Sequence, residues 1–594
     1  TSRTGFFLST LQKWRRVLID EAPVREFVDL GLGVLDSATV EACCFTAENS
    51  STFEPSVFIN CLCEDDKGKA TLRSIETLTA SHVKLARFAA IPTAPFAYWA
   101  PFSLVSLFDK YKSMGEYGFR VRQGLGSSDN FRFLRAWWEV SSKETGLNTG
   151  WASYAKGGGY QPYWGDQDLC VLWKNNGREI KEKSSILYGT WSKQITNVEY
   201  YGRPGLTYSS RLSDFSPRIL PAGSAFDTKG SSIFDDASPD NLESLLRLLA
   251  VTQSTSFRAL LSMCVARAGQ LACSYPEALV EKIPIPPLEK ISSRSIQAIL
   301  ALAMATAAAE REIEETHAFV RPVMKASLAE TAQAMRQRTH VLSEMYQTTI
   351  SEIDGDVKEA YGIPSSVALD SVAGAIKQHT FALGSDFESF AGNIASYILS
   401  WILGCALGRW DIQKTQLEPA SGNLSNKFSP LPICPLGQLQ NEQGLPAGQE
   451  DVPSSYPVRI PWDGILVDDS NHPLDLERRV REVIEIIWSG KEGGPTDKAI
   501  EQEACNILGV KTLRDYFRKP VGFFADHLKR YSKSRRQAPI YWQLSAGNAS
   551  YSAWLYYHRF TQDTLYRVLG DFVEPRIQGA EREKFELESQ GGMS

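Results

Sequence analysis

The chain has 594 residues, too many for one ordinary domain, so three or four are expected. Hydrophobic residues make up 43% and charged residues 22%, which excludes a disordered polyampholyte and fits a globular protein with real cores. A net charge of −6 excludes a uniformly basic surface but leaves room for local phosphate contacts.

The positive charge is unevenly spread. Residues 85–237 hold 18 Lys and Arg against 14 Asp and Glu, and residues 521–560 hold six against one. Aromatics reach 11%, enough for large cores or for surfaces that stack on bases or partners.

In chain order, residues 6–20 place Leu8, Leu11 and Leu18 at helical spacing with basic residues between them. Short β-like runs follow at 24–30, 39–46 and 56–63. A helix feeding short strands reads as the tail of an α/β domain, and about 65 residues are too few to close a nucleotide-binding sheet alone. The first residue is Thr, so the start reads as truncated or processed.

From 89 to about 236 the pattern becomes short aromatic and β-branched runs broken by Gly, Asn and Pro, with strands expected at 168–173 and 194–201. Ser238 and Pro239 are expected to start a helix whose buried face carries Leu242, Leu245, Leu246 and Leu249. Helical periodicity continues to Trp410, interrupted at 283–287. The stretch 292–361 reads as two long helices separated near Arg321 and Pro322. Residues 415–460, rich in Pro, Gly, Ser, Asn and Gln, read as a linker or surface excursion. The stretch 461–575 mixes helix with an aromatic-rich segment, and the polar tail after Gln578 is expected to fray.

Catalytic patterns are sparse. The nearest approaches to an Asn-Pro-Pro-aromatic motif are Gln161, Pro162, Tyr163, which has one Pro and Gln for Asn, and Pro286, Pro287, Leu288, which lacks the aromatic. Seven isolated His, the absence of HExxH, GxSxG and CxxC, and ten scattered Cys leave no metal or nucleophile constellation. Asp235 with Asp236 and Asp468 with Asp469 read more simply as solvated acids than as metal ligands. No run is apolar and long enough to span a bilayer, and a cytoplasmic location is expected.

Three stretches carry a resemblance. The first runs from Tyr98 and Trp99 through Gly124, Leu125, Gly126, Ser127, Ser128, Asp129, Asn130 and Phe131 to the pair Trp137 and Trp138. Gly124 and Gly126 permit a tight turn there, with short polar groups on Ser127, Ser128 and Asn130. Arg132 and Arg135 could reach phosphate or a guanine edge. A capped structural turn backed by a Trp core is the alternative reading.

The second stretch holds Tyr154, Lys156, Gly157 and Gly158, then Trp173, Lys174, Asn176, Gly177, Arg178, Glu179 and Ile180. It continues through Leu220, Pro221 and Gly223, Phe226 and Asp227, to Gly230, Ile233 and Phe234. The third runs from Arg514 to Pro539, Ile540, Tyr541 and Trp542, then Tyr556, His558, Arg559, Phe560, Asp563 and Thr564. It is preceded by the basic run Lys529, Arg530, Lys533, Arg535 and Arg536, read either as a phosphate-contacting surface or as a helix-terminal charge cluster.

Taken together these blocks resemble the PglX-type adenine-specific DNA methyltransferases of BREX-like phage-defence systems. The resemblance implies an α+β multidomain fold: the end of an α/β methyltransferase domain (1–88), a mixed, β-rich target-recognition domain (89–237), a long-helix spacer (238–414), a linker (415–460) and an α/β C-terminal domain (461–594). It implies recognition of double-stranded DNA for adenine-N6 methylation. S-adenosylmethionine would be bound by an N-terminal catalytic part outside this chain, with that part or other defence proteins as partners. The implied DNA-binding residues are Ser127, Ser128, Asn130, Arg132, Arg135, Lys156, Lys174, Arg178, Lys529, Arg530, Lys533, Arg535 and Arg536. No catalytic or metal residue is assigned. A non-catalytic specificity subunit or a scaffold of a defence complex are the alternatives.

Overall fold

A computed structural model describes residues 1–35, 40–49, 54–265, 273–373, 387–414, 425–488, 496–547 and 549–591. The fold is mixed α/β, built from several small sheets and long helices.

The first sheet is centred on Val24–Gly31. Ala42–Ala47 pairs with it antiparallel, Ser56–Asn60 parallel, and Ser81–Val83 closes the other edge. Its core is aromatic: Phe6, Phe27, Phe58, Phe88, Phe96 and Tyr98 pack within 4.7 to 6.5 Å of one another. The helix starts at Gln12, later than expected, after two 3-10 turns. Leu18 faces the core as expected, but Leu11 is exposed. Arg15, one of the basic residues between those leucines, is fully buried and donates to the carbonyls of Gly5, Leu8, Thr93 and Ala94 at 2.6–2.9 Å. Those four bonds satisfy a guanidinium that would otherwise be costly to bury.

Two four-stranded sheets follow. One orders Arg218–Leu220, Gly205–Thr207, Ser232–Asp235 and Phe119–Arg122; the other orders Ser224–Phe226, Trp151–Ala155, Leu169–Leu172 and Leu134–Ala136. The strand expected at 168–173 is present as Leu169–Leu172. The strand expected at 194–201 is not: Asn197, at φ 53°, breaks the extended backbone, and Val198–Tyr200 forms a 3-10 turn.

Beyond 237 the chain is mainly helical. The first helix begins at Leu242 under an Asn241 cap, with Ser238 and Pro239 in the preceding turn rather than at its start. Ser293–Glu310 and Leu328–Tyr361 are the expected long pair, packed on each other. The second ends at Gly362, whose φ of 67° suits a helix stop. Of the stretch expected as a linker, residues 425–460 are irregular but docked: Gly437 donates to Phe319 O at 2.9 Å, and Leu439, Ala447 and Ile460 form a buried cluster. Residues 415–424 lie outside the described residues. The last sheet pairs Ser552–Tyr556 with Ile465–Val467 and Tyr541–Ser545. The tail expected to fray is helical instead, as Glu574–Gly591.

Residues 310–317 join these parts. Glu310 accepts from Trp164 Nε1 at 2.6 Å, Glu312 pairs with Arg338, and Glu314 accepts from Trp410 Nε1 and Arg409 at 2.8 and 3.2 Å. Glu315 lies 3.6 Å from Arg530, and His317 Nδ1 lies 3.0 Å from Asp166. One short segment therefore fixes the β-rich part, the long helices and the C-terminal part relative to each other.

Burial pushes the Glu315 carboxyl up to about 7, aided by the charge of Glu314 and opposed by Arg530. An acid whose pKa is raised on folding contributes stability in full below its unfolded value, near 4.5, and loses it as pH rises through about 7. The thermal midpoint of the wild type is therefore expected to fall between pH 5 and 8 more steeply than that of Glu315→Gln. Parallel pH profiles of the two proteins would contradict this.

Candidate nucleic-acid interface

The first candidate block folds as a rigid loop. Gly124 lies against residue 226, with Leu125 N donating to Phe226 O at 2.9 Å. A Cβ at Gly124 would fall 1.8 Å from that same oxygen, so this glycine serves close backbone approach rather than a turn. Asp129 Oδ1 accepts from Arg132 N at 3.1 Å and caps the short helix Asn130–Phe133. Phe133 is buried beneath it, whereas Phe131 is 82% exposed.

The Trp pair that follows pins this loop to other parts of the chain. Trp137 Nε1 donates to Glu315 O and Trp138 Nε1 to Ala538 O, each at 2.9 Å. His558 Nε2 donates to Trp138 O at 2.6 Å; burial lowers its pKa to about 4, so it stays neutral at pH 7.

This pinning brings a second basic segment to the loop. Ser532–Lys533 and Arg536–Gln537 pair as a two-residue hairpin. Its tip residues, Ser534 and Arg535, sit at φ 51° and 69°, the conformation of the turn that matches strand twist. Arg536 makes a two-pronged ion pair with Glu139 at 2.5 and 2.7 Å, and its guanidinium lies 5.6 Å from the Phe131 ring centre. Lys533 Nζ is 3.5 Å from Asp168. Arg135 donates to the carbonyls of Phe131 and Leu134 at 2.6 and 2.8 Å while lying over Trp151. Burial, followed by the neighbouring Arg536 charge, lowers the Arg135 pKa. Lys156 is shifted down chiefly by burial and also by Arg535, with Asp227 opposing.

Three of the thirteen candidates meet at Phe131: Arg132 follows it in sequence, Arg135 bonds its carbonyl and Arg536 lies by its ring. Lys533 and Arg535 share the hairpin of Arg536, and the charge of Arg535 reaches Lys156. Arg132 sits at one margin, 3.1 Å from Glu179 on the Lys174–Tyr188 helix. Lys174 and Arg178 are exposed on either side of a left-handed kink at residues 175–177, the latter 3.4 Å from Glu182. Ser128 and Asn130 are exposed in the loop, and Lys529 is exposed on the Ala525–Arg530 helix. Two candidates are placed differently from the sequence reading. Ser127 is 5% exposed and its hydroxyl bonds Asn130 Oδ1, so it supports the loop rather than facing solvent. Arg530 turns inward to Ser396 Oγ, Glu315 and the Tyr397 ring, where it neutralises a buried carboxylate.

Sequence reasoning missed Phe131, Glu139 and Tyr557, which is half-exposed near Arg135. A lone aromatic in a polar turn has no periodicity to mark it. Among the described residues, no group of three or more His, Cys, Asp or Glu is placed to hold a metal, and no single helix is long and apolar enough to cross a membrane.

Asp29 lies on the strand Val24–Gly31, which pairs antiparallel with Ala42–Ala47. Asp29 itself is buried against Arg3 at 2.6 Å and Tyr98 Oη at 3.0 Å.

No family model matches the chain. It is 22% identical over 610 residues to the adenine-specific methyltransferase BrxX of Escherichia coli O9:H4 (strain HS), covering 97% of this chain and 46% of that protein. It is 23% identical over 549 residues to the adenine-specific methyltransferase PglX of Lacticaseibacillus casei (strain Zhang), covering 88% of this chain and 42% of that one. The chain spans under half the length of these curated relatives. The type IIG restriction endonuclease BpuSI superposes with a TM-score of 0.26 at 10% identity, over 61% of this chain and 47% of the other. The two long sequence matches make this chain a relative of the PglX-type adenine-specific methyltransferases.

Proposed function

We propose that this chain reads double-stranded DNA on behalf of an adenine-N6 methyltransferase of a BREX-like phage-defence system. The observation that carries the reading is the meeting of two basic segments, about 400 residues apart in sequence: Arg536 pairs with Glu139 and lies by the Phe131 ring next to Arg135, and the charge of Arg535 reaches Lys156. The two-pronged ion pair to Glu139 holds Arg536 in a fixed position, as a phosphate contact that sets register requires. Arg135 and Arg536 are braced by hydrogen bonds and ring contacts, so little side-chain entropy is lost when they meet DNA.

In this reading S-adenosylmethionine supplies the methyl group and is held, with the flipped adenine, by residues beyond the span matched here. The partners are DNA, that catalytic part and other defence proteins, in the cytoplasm. The test is equilibrium binding of this chain to bacterial duplex DNA from 50 to 200 mM salt, with labelled methyl transfer scored in the same samples. Six phosphate contacts give a fall in affinity of about 10³ over that range. Salt-dependent binding without transfer is the expected result. Absence of salt-dependent binding would overturn the reading, and unaided transfer would overturn the division of labour.

A further inference from the structure

An isolated exposed hydrophobic side chain is ordinary on a protein surface and needs no explanation. Phe131 is distinguished by what surrounds it. Its backbone is fixed from three sides: by the Asp129 cap, by Phe133 buried in the core, and by the Arg135 guanidinium on its own carbonyl at 2.6 Å. The ring projects from this base with the Arg536 guanidinium 5.6 Å from its centre. Arg135, beside it, lies over Trp151 and near the half-exposed Tyr557. An exposed aromatic ring on a fixed backbone, beside Arg135 and Arg536, offers a π-face to a base while the neighbouring cations meet phosphates.

We infer that Phe131 is a wedge that stacks on a base at an opened step of duplex DNA, flanked by Arg135 and Arg536. The inference rests on the DNA-reading role proposed above and adds the residue that enters the base stack. Apolar wedges of this kind part a base step and bend the duplex toward surfaces that hold its backbone. Because the backbone beneath the ring is already fixed in the free protein, only one side chain remains to be ordered on insertion.

The test compares binding of the chain to an intact duplex and to the same duplex with one abasic site, where a stacking gap is already open. The expected result for the wild type is a roughly tenfold preference for the abasic duplex, the size of one base–aromatic stack. Phe131→Ala is expected to lose that preference while keeping the intact-duplex salt slope, and Phe131→Trp is expected to keep it. Because the side chain is exposed, the variants should fold, and an unchanged melting midpoint checks this. A wild type that binds both duplexes equally, or a Phe131→Ala protein that retains the preference, overturns the wedge and leaves DNA reading intact. A wild type that binds neither duplex in a salt-dependent way overturns DNA reading and the wedge with it.

Discussion

Arg409→Leu is expected to lower stability by about 3–5 kcal/mol, the cost of leaving one partner of a buried ion pair uncompensated. Arg409 and Glu314 are 4% and 0% exposed, and three aromatic rings surround the guanidinium: Trp410 at 4.1 Å, Tyr531 at 5.4 Å and Tyr541 at 5.9 Å. Arg409 Nη1 also donates to Tyr531 Oη at 2.7 Å. Without Arg409, the Glu314 carboxylate would keep only the 2.8 Å bond from Trp410 Nε1 in a dry setting. Adding Glu314→Gln removes the buried charge and should recover part of the loss, since a neutral amide costs less to bury. Denaturant unfolding followed by tryptophan fluorescence reads both proteins. A loss below about 1 kcal/mol for Arg409→Leu would mean that the pair is solvated.

Gly124→Ala is expected to cost about 1–3 kcal/mol, the usual range for overpacking, and to weaken DNA binding at least tenfold. The added Cβ would meet Phe226 O at 1.8 Å and its carbonyl carbon at 2.6 Å, and neither backbone atom can move alone. The displaced segment leads directly into Phe131, Arg132 and Arg135, so strain and loss of binding should arrive together. Gly159→Ala is the control: nothing lies within 4 Å of a Cβ there, and its effect should stay within about 0.5 kcal/mol. Equal behaviour of the two variants would contradict the close-approach role of Gly124.

The parts of this fold that were legible in sequence are those with strong periodicity. The helix pair Ser293–Glu310 and Leu328–Tyr361 follows from a 3.6-residue repeat, but the first helix ends at Glu310, well before the break expected near Pro322, which lies in the segment between them. What escaped was set by tertiary contacts. The basic run at 529–536 is uniform as a string, yet its helix and hairpin send Arg530 into the core and Arg535 to solvent. Charge alone carries no information on which way a side chain faces. The hairpin tip uses Ser534 and Arg535 in the left-handed region, where Asn or Gly would have announced the turn. Asn197 ended a strand that the flanking aromatic and β-branched residues favoured, because one left-handed residue outweighs weak β propensity. The resemblance located the basic segments, but that they meet, through Trp138 on Ala538 and Arg536 on Glu139, is a tertiary fact the sequence does not carry.

The most direct test removes three cations that belong to both segments, Arg135, Lys156 and Arg535, by alanine substitution in one protein. Each phosphate contact contributes about 0.9 to the slope of log affinity against log salt. The account predicts that the slope magnitude falls by about 2 to 3 relative to wild type, with binding weakened across unrelated DNA sequences by a protein that still folds. An unaltered slope and affinity, in a variant that folds normally, would place DNA on another face of the molecule and contradict the account.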